Sequence, residues 1–95
     1  MARYVSLLKF TQQGVRSLKG SPARAAAFRK AAEKAGVKVE VHLWTAGEYD
    51  GILILSADDE TKVLATIAKL AALGNVQTQT MQAYDSKQFA AIVGK

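Results

Sequence analysis

Three residues near the middle of the chain carry side chains that could transfer protons or bind a polar group. His42 is the only imidazole of the 95-residue sequence, and Tyr49 and Asp50 follow it after a short segment that contains Gly47. An imidazole, a phenol and a carboxylate can serve as acid, base and hydrogen-bond donor towards a substrate. An aspartate at a turn more often accepts hydrogen bonds from nearby backbone N–H groups. The residue types therefore leave a catalytic and a structural interpretation open.

A second group of side chains could line a ligand-binding cleft. It comprises Lys9, Thr11, Arg24, Trp44 and Tyr84. Arg24 stands out because it falls in the first turn of a predicted helix, where the helix dipole disfavours a cation. A charge at this position indicates an anionic partner, which could be a ligand or an internal carboxylate such as Asp50 or the Asp58–Glu60 group.

The composition excludes several kinds of chemistry. The absence of cysteine rules out disulfides, zinc knuckles and a thiol nucleophile, and it fits a reducing compartment. One histidine and acids placed mostly at helix starts lack the spacing of a metal site. The glycines are scattered, so no phosphate-binding loop is formed, and no serine lies in a nucleophile elbow. We therefore expect neither a metal nor a cofactor.

The net charge of +5 is distributed unevenly along the chain. Residues 1–38 contain nine Lys or Arg and one acid, whereas residues 39–60 contain six acids and no Lys or Arg. Most of the basic residues fall on one helical region without interleaved aromatics, which predicts a solvated helix face and no nucleic-acid binding. No apolar run approaches the roughly 20 residues that span a bilayer. A cytoplasmic protein without membrane contact is expected.

An aliphatic run organises the predicted elements. Ile52–Leu55 is continuously apolar, as is typical of a strand that is covered on both faces, so a strand at residues 49–56 is placed at the centre of a sheet. The other predicted strands cover residues 4–10, 37–44 and 76–83, and the last of these is polar enough for a sheet edge. Helices are predicted at residues 21–35 and 58–73, with a helical turn at residues 11–19 and a closing helix from Ser86.

The element order predicts an α+β fold formed by one domain, residues 1–95. A β-α-β-β-α-β chain with right-handed crossovers forms a ferredoxin-like, four-stranded antiparallel sheet with both helices on one face and strands one and three in the middle. These two strands carry apolar residues towards both faces, so the uncovered face would be apolar as well. A homodimer that packs sheet against sheet would cover it.

Local patterns make finer predictions. In strand 37–44, Val39, Val41 and Leu43 alternate with Lys38, Glu40, His42 and Trp44, and the second set is predicted to meet a partner or solvent. Ser21 and Asp58 are predicted helix N-caps. Val15 and Leu18 should face inward, and Phe89, Ile92 and Val93 should fix the closing helix to the body of the domain.

Four stretches of the sequence together resemble one family. They are G-E-Y-D at Gly47–Asp50, T-Q-Q-G-V-R-S-L-K-G-S-P-A-R at Thr11–Arg24, D-D-E at Asp58–Glu60 and L-G-N-V-Q-T-Q-T at Leu73–Thr80. The chain resembles the GYD domain family of the dimeric α/β-barrel superfamily over nearly its whole length. It departs from that family at Ser56 and Ala57, where a Glu and a Pro are common. The hairpin also resembles that of the effector domain of leucine-responsive regulators.

The resemblance implies a dimeric α/β-barrel with a pocket between the helices and the sheet. Three functions follow as hypotheses. The first is a homodimeric binding or accessory module for a small apolar molecule with an acidic or polar group. The second is a cofactor-independent monooxygenase or isomerase in which His42, Tyr49 and Asp50 transfer protons. The third is a purely structural dimer.

Overall fold

The computed structural model describes residues 1–94, which form one four-stranded sheet and four α-helices. The strands are β1 (Ala2–Phe10), β2 (Lys38–Trp44), β3 (Gly51–Ala57) and β4 (Val76–Ala83). The helices are α1 (Gln12–Arg16), α2 (Ser21–Lys34), α3 (Glu60–Ala72) and α4 (Ser86–Val93), and a 3₁₀ turn, Leu18–Gly20, joins α1 to α2.

The strand order confirms the predicted topology. The sheet runs β2-β3-β1-β4 and every neighbouring pair is antiparallel, so β1 and β3 are central and β2 and β4 are the edges. The fold is α+β and ferredoxin-like. The aliphatic run Ile52–Leu55 lies in β3, as its lack of polar residues predicted. The strand begins at Gly51 rather than at residue 49, so Tyr49 and Asp50 precede it.

The two faces of the sheet differ in burial. Tyr4 and Leu8 of β1 and Leu53 and Leu55 of β3 are buried in the core together with Val63 of α3. The alternate residues of the two central strands project from the other face and are only half-buried; they are Val5, Leu7, Ile52 and Ile54. The helices therefore cover one face, and we refer to the other as the bare face.

A β-bulge in β2 overturns the predicted side-chain alternation of that strand. Val39 pairs with Leu55, but Val41 pairs with Ile54, so the extra residue Glu40 shifts the register. Beyond the bulge the faces are exchanged. His42 and Trp44, which pair with Leu53 and Gly51, lie on the helix-covered face, whereas Val41 and Leu43 lie on the bare face. The prediction that His42 and Trp44 lie on the same face as Lys38 was wrong, because a one-residue slip reverses every later side chain.

The helix starts differ from the prediction by one residue. The N-cap of α2 is Gly20, and Ser21 is the first helical residue, so its hydroxyl accepts the Trp44 indole N–H instead of a helix amide. The N-cap of α3 is Asp59, which accepts from the Thr61 backbone N–H at 2.9 Å, while Asp58 pairs with Lys62. At both starts two candidate cap residues are adjacent, and local propensity does not decide between them.

Two predicted apolar contacts are absent from the described chain. Thr11 caps α1 as expected, but Val15 and Leu18 are exposed, because α1 ends at Arg16 and the chain continues as a 3₁₀ turn. The closing helix α4 is formed but not fixed through its apolar residues, since every residue from 84 to 94 is exposed. No helix within residues 1–94 combines the length and hydropathy needed to cross a membrane.

Candidate functional site

A cavity of about 60 Å³ lies between α2 and one end of the sheet. This volume holds a few water molecules or the equivalent part of a ligand. The walls are mostly apolar and come from β1, α2, β2, β3, α3 and β4; the apolar members are Leu8, Phe10, Ala25, Phe28, Trp44, Leu53, Leu70, Leu73 and Val76. Its polar lining residues are Ser21, Arg24, His42, Asp50 and Asn75. An apolar space with a few polar groups is the usual form of a small-molecule site.

Arg24 contributes the cation of this cavity. One of its terminal nitrogens, Nη1, donates to the backbone carbonyl of Ser17 at 2.8 Å. The other, Nη2, is buried and has no hydrogen-bond partner among residues 1–94. No carboxylate of the described chain forms an ion pair with Arg24, so the internal partner predicted in Asp50 or Asp58–Glu60 is absent. A buried guanidinium N–H without an acceptor is costly, which favours an acceptor supplied from outside the chain.

The rim of the cavity is formed by a bond between two elements. The Trp44 indole N–H donates to the Ser21 hydroxyl at 3.0 Å, which ties the end of β2 to the first turn of α2. The Trp44 ring also stacks on His42, with ring centroids 4.5 Å apart and 18° between the planes. Trp44 lines the cavity and is also about half exposed, so its ring lies between the cavity and solvent.

His42 is held as a neutral imidazole. Burial lowers the pKa of His42 below its ordinary value, and the positive charge of Arg29 lowers the pKa further. The imidazole is therefore neutral at pH 7, and it presents one nitrogen as acceptor and the other as donor.

The lowered pKa of His42 predicts a pH dependence of folding. The unfolded chain binds a proton on this side chain more readily than the folded chain, so acidification favours unfolding. The contribution of His42 to the free energy of unfolding should be complete above the unfolded pKa of 6.5 and should decline as the pH falls below it. Urea denaturation of the wild type and His42→Gln at several pH values between 5.5 and 8 tests this. An unchanged pH profile in the variant would contradict it.

Asp50 forms hydrogen bonds that are structural. Its carboxylate accepts from the backbone N–H of Phe10 at 2.8 Å, and its own N–H donates to the Leu8 carbonyl at 2.8 Å. Its carbonyl accepts from the Thr45 N–H at 2.9 Å. Asp50 thus joins the β2–β3 connection to the end of β1. The bond to Phe10 is long-range, whereas an aspartate at a turn was expected to bond locally.

Removing the Asp50 carboxylate should destabilise the fold. Asp50→Ala leaves the part-buried Phe10 N–H without its acceptor, and we expect a loss of about 1–3 kcal/mol in the free energy of unfolding. Asp50→Asn retains an oxygen acceptor and should lose less than about 1 kcal/mol. Glu48→Ala is the matched control, because Glu48 is an exposed acid of the same connection. Equal losses for Asp50→Ala and Glu48→Ala in urea denaturation would contradict the structural role.

The structure brings only part of the candidate set together. His42, Asp50, Arg24 and Trp44 line the cavity. Tyr49 lies elsewhere: its hydroxyl donates to Gln79, which pairs with Leu7 and faces the bare side of the sheet.

The remaining candidates lie outside the cavity. The Lys9 ammonium is 5.8 Å from the Tyr49 ring centroid, on the bare side. Thr11 caps α1 and donates to the Gly74 carbonyl at 2.6 Å. Tyr84 follows β4 at the opposite end of the sheet, next to Ala83, which pairs with Arg3.

Two polar residues of the cavity were not predicted from the sequence. Ser21 was expected to be a helix cap, and Asn75 was noted only as part of the Leu73–Thr80 stretch that resembles the family. They line the same cavity only because the end of β2, the start of α2 and the α3–β4 connection lie next to it. No signal in the local sequence distinguishes them. Residues 1–94 contain no group of three or more His, Asp or Glu side chains placed to hold a metal ion.

The four-stranded antiparallel sheet with helices on one face places the chain among the small ferredoxin-like α+β domains. A family model described as the GYD domain matches residues 4–93. The chain therefore belongs to the GYD domain family, as its sequence predicted. Searches of curated proteins and of solved structures found no match.

Proposed function

We propose that this chain is a homodimeric binding module for a small, largely apolar molecule that carries a carboxylate. The observation that carries the proposal is the buried Arg24 Nη2, which lacks an acceptor at the edge of an apolar cavity. A carboxylate oxygen would accept this N–H in a charge-assisted hydrogen bond. The apolar part of the ligand would lie against Phe28 and Leu73, which line the cavity and retain accessible surface, and burial of its surface contributes to binding.

The cavity volume limits the ligand. About 60 Å³ accommodates only a few non-hydrogen atoms, so a longer molecule must extend past the rim at Trp44 or displace that ring. Short carboxylic acids are therefore the first ligands to examine. Arg24 Nη2 is the buried donor that lacks a partner within residues 1–94, so the carboxylate end of such an acid should lie beside it.

The experiment is a calorimetric titration with the straight-chain carboxylates from butanoate to octanoate and with the alcohols of the same length. Arg24→Met keeps the apolar stem of the side chain but removes its charge. A hydrogen bond to a charged group contributes about 1.5–3 kcal/mol, so carboxylate affinity should fall roughly 10- to 150-fold while alcohol affinity stays unchanged. Lys30→Met is the control, because it removes the same charge from an exposed position of α2. Equal losses in both variants, or no carboxylate binding by the wild type, would refute the proposal.

The second candidate function is proton transfer, and it is favoured by one observation. His42 and Asp50 line the same cavity, and His42 is neutral at pH 7. Tyr49 lies on the bare side and takes no part. An enzyme would lose turnover in His42→Gln while it retained carboxylate binding, whereas a binding module has no turnover to lose.

The dimer is supported by the bare face. An apolar cluster there consists of Val5, Leu7, Val41, Leu43, Ile52, Ile54 and Met81. Leu43 and Met81 are 55% and 42% exposed, and the others are half-buried by their neighbours alone. Monomeric proteins seldom leave such a contiguous patch in water. A second copy related by a twofold axis presents the same surface and covers it.

Native mass spectrometry of untagged protein tests both parts of this proposal in one spectrum. A dimer that carries a reproducible additional mass would support a ligand module, and a dimer without one would leave the titration to decide. A monomer would refute the sheet-to-sheet dimer. The lack of cysteine fits a reducing compartment, so we place the module in the cytoplasm.

A further inference from the structure

We propose that α4 is an arm by which each copy of the chain holds the other, so that the helix packs on the partner copy and not on its own domain. This inference rests on the proposed homodimer and names a second contact surface within it. Three observations carry it: the exposure of the helix, its length and the place where it starts.

The exposure of α4 is unusual for an apolar helix. Phe89, Ile92 and Val93 are spaced by three and four residues, so they share one helix face, and they are 56%, 49% and 63% exposed. No residue of α4 is buried. Three large apolar side chains on one face of a helix normally pack against a core.

The length of α4 makes a partner necessary. It has eight residues, and helices shorter than about 12 residues are marginal in water unless tertiary contacts support them. Its start is well specified, because Asp85 and Gln88 form a capping box with two bonds of 2.8 Å. A capped, amphipathic helix without a packed face is stable only if another surface covers that face.

The start of α4 places it beside the bare face. Asp85 lies 4.0 Å from Arg3, which also binds Glu40 at 3.3 Å. Arg3 pairs with Ser56, and both residues lie on the bare side, since Tyr4 and Leu55 next to them are in the core. Ser56 is nevertheless buried, and together with Arg3, Glu40, Asp85 and Gln88 it lines a polar groove at the root of the helix.

The position of this groove selects the second copy as the partner. A copy that stacks on the bare face comes next to the first turn of α4, so the apolar face of the helix would extend the same interface. Phe89, Ile92 and Val93 belong neither to the core cluster nor to the residues packed against it. A second copy on the bare face is therefore the partner whose contact with α4 would be continuous with the proposed dimer.

The test is hydrogen–deuterium exchange of the α4 amides in the dimer and in a monomer. The monomer is obtained either by dilution of the wild type or by Ile54→Lys on the bare face. We expect the amides of α4 to exchange at least about tenfold more slowly in the dimer, while the amides of α3 exchange alike in both. Phe89→Ser combined with Ile92→Ser should weaken the dimer at least tenfold. Ala91→Ser, on the opposite side of α4, should not.

Each other outcome is decisive. Equal protection of α4 in dimer and monomer would show that the helix is stable on its own chain and would overturn the arm. Rapid exchange of α4 in an intact dimer would do the same and leave the sheet-to-sheet dimer standing. A monomeric mass for the wild type at every concentration would refute the dimer and the arm together. Unchanged dimer affinity in the double variant would also overturn the arm.

Discussion

Ile54→Lys is expected to convert the proposed homodimer into folded monomers. Ile54 lies on the central strand β3 and projects from the bare face among Val5 and Val41, its cross-strand neighbours. In the proposed dimer a lysine there would place an unpaired charge in an apolar contact, which costs about 3–5 kcal/mol for each buried charge. The dissociation constant of the dimer should therefore rise at least several hundred-fold. Sedimentation velocity over a range of protein concentrations measures the change.

Leu64→Lys is the matched control for this variant. Leu64 is also a large apolar residue, but it lies on the outer side of α3 and is 53% exposed. The same substitution at this position should leave the dimer constant unchanged. If Ile54→Lys remained dimeric, or if both variants dissociated, the bare face would not be the interface.

Leu53→Ala is expected to reduce the stability of the domain more than any substitution on the bare face. Leu53 has no exposed surface and belongs to the core cluster beneath the helices. Truncation of a buried leucine removes its transfer free energy and leaves a cavity, and the loss is typically about 2–5 kcal/mol. Urea denaturation monitored by circular dichroism measures it. The protein concentration must be held constant, because dimerisation adds to apparent stability.

The effect of Leu53→Ala on the site gives a second readout. Leu53 also lines the candidate cavity, so the alanine variant should enlarge it and shift the preferred carboxylate to a longer chain. Leu64→Ala, which removes the same atoms from an exposed position, should lose less than about 1 kcal/mol and keep the preference. A similar loss of stability in the two alanine variants would contradict the assignment of the core.

Much of the fold could be predicted from the sequence because it depends on local patterns. The run Ile52–Leu55 predicted the central strand, since an unbroken aliphatic run of this length is typical of a strand in the middle of a sheet. The helix ends at Gly36 and Gly74 were predictable because helices often end at a glycine, which can adopt the positive φ that other residues rarely adopt. In the structure these two glycines have φ values of 85° and 84°. Once the order of the elements was predicted, right-handed crossovers were compatible with only one strand order in the sheet.

The site was predicted less well, because its residues come from six different elements and from the connections between them. His42 and Trp44 were assigned to the wrong face, since nothing in the alternation of strand residues 38–44 indicates the bulge at Glu40. Arg24 was singled out as a cation in the first turn of a helix, and the structure places it there, in α2, where it lines the cavity. Its internal partner was wrong, because the carboxylates of Asp50 and of Asp58–Glu60 are committed to other groups or lie elsewhere.

The sequence by itself determined the element order, the identity of the central strands and the family, because each of these follows from periodicity or from short motifs along the chain. Only the tertiary structure decided which side chains meet in the cavity and that Tyr49 turns to the bare face. It also decided that the apolar face of α4 does not pack against the helix's own domain. The physical reason is the same in all three cases. A slip of one residue, or a packing contact between distant elements, changes the surroundings of a side chain without changing its local sequence.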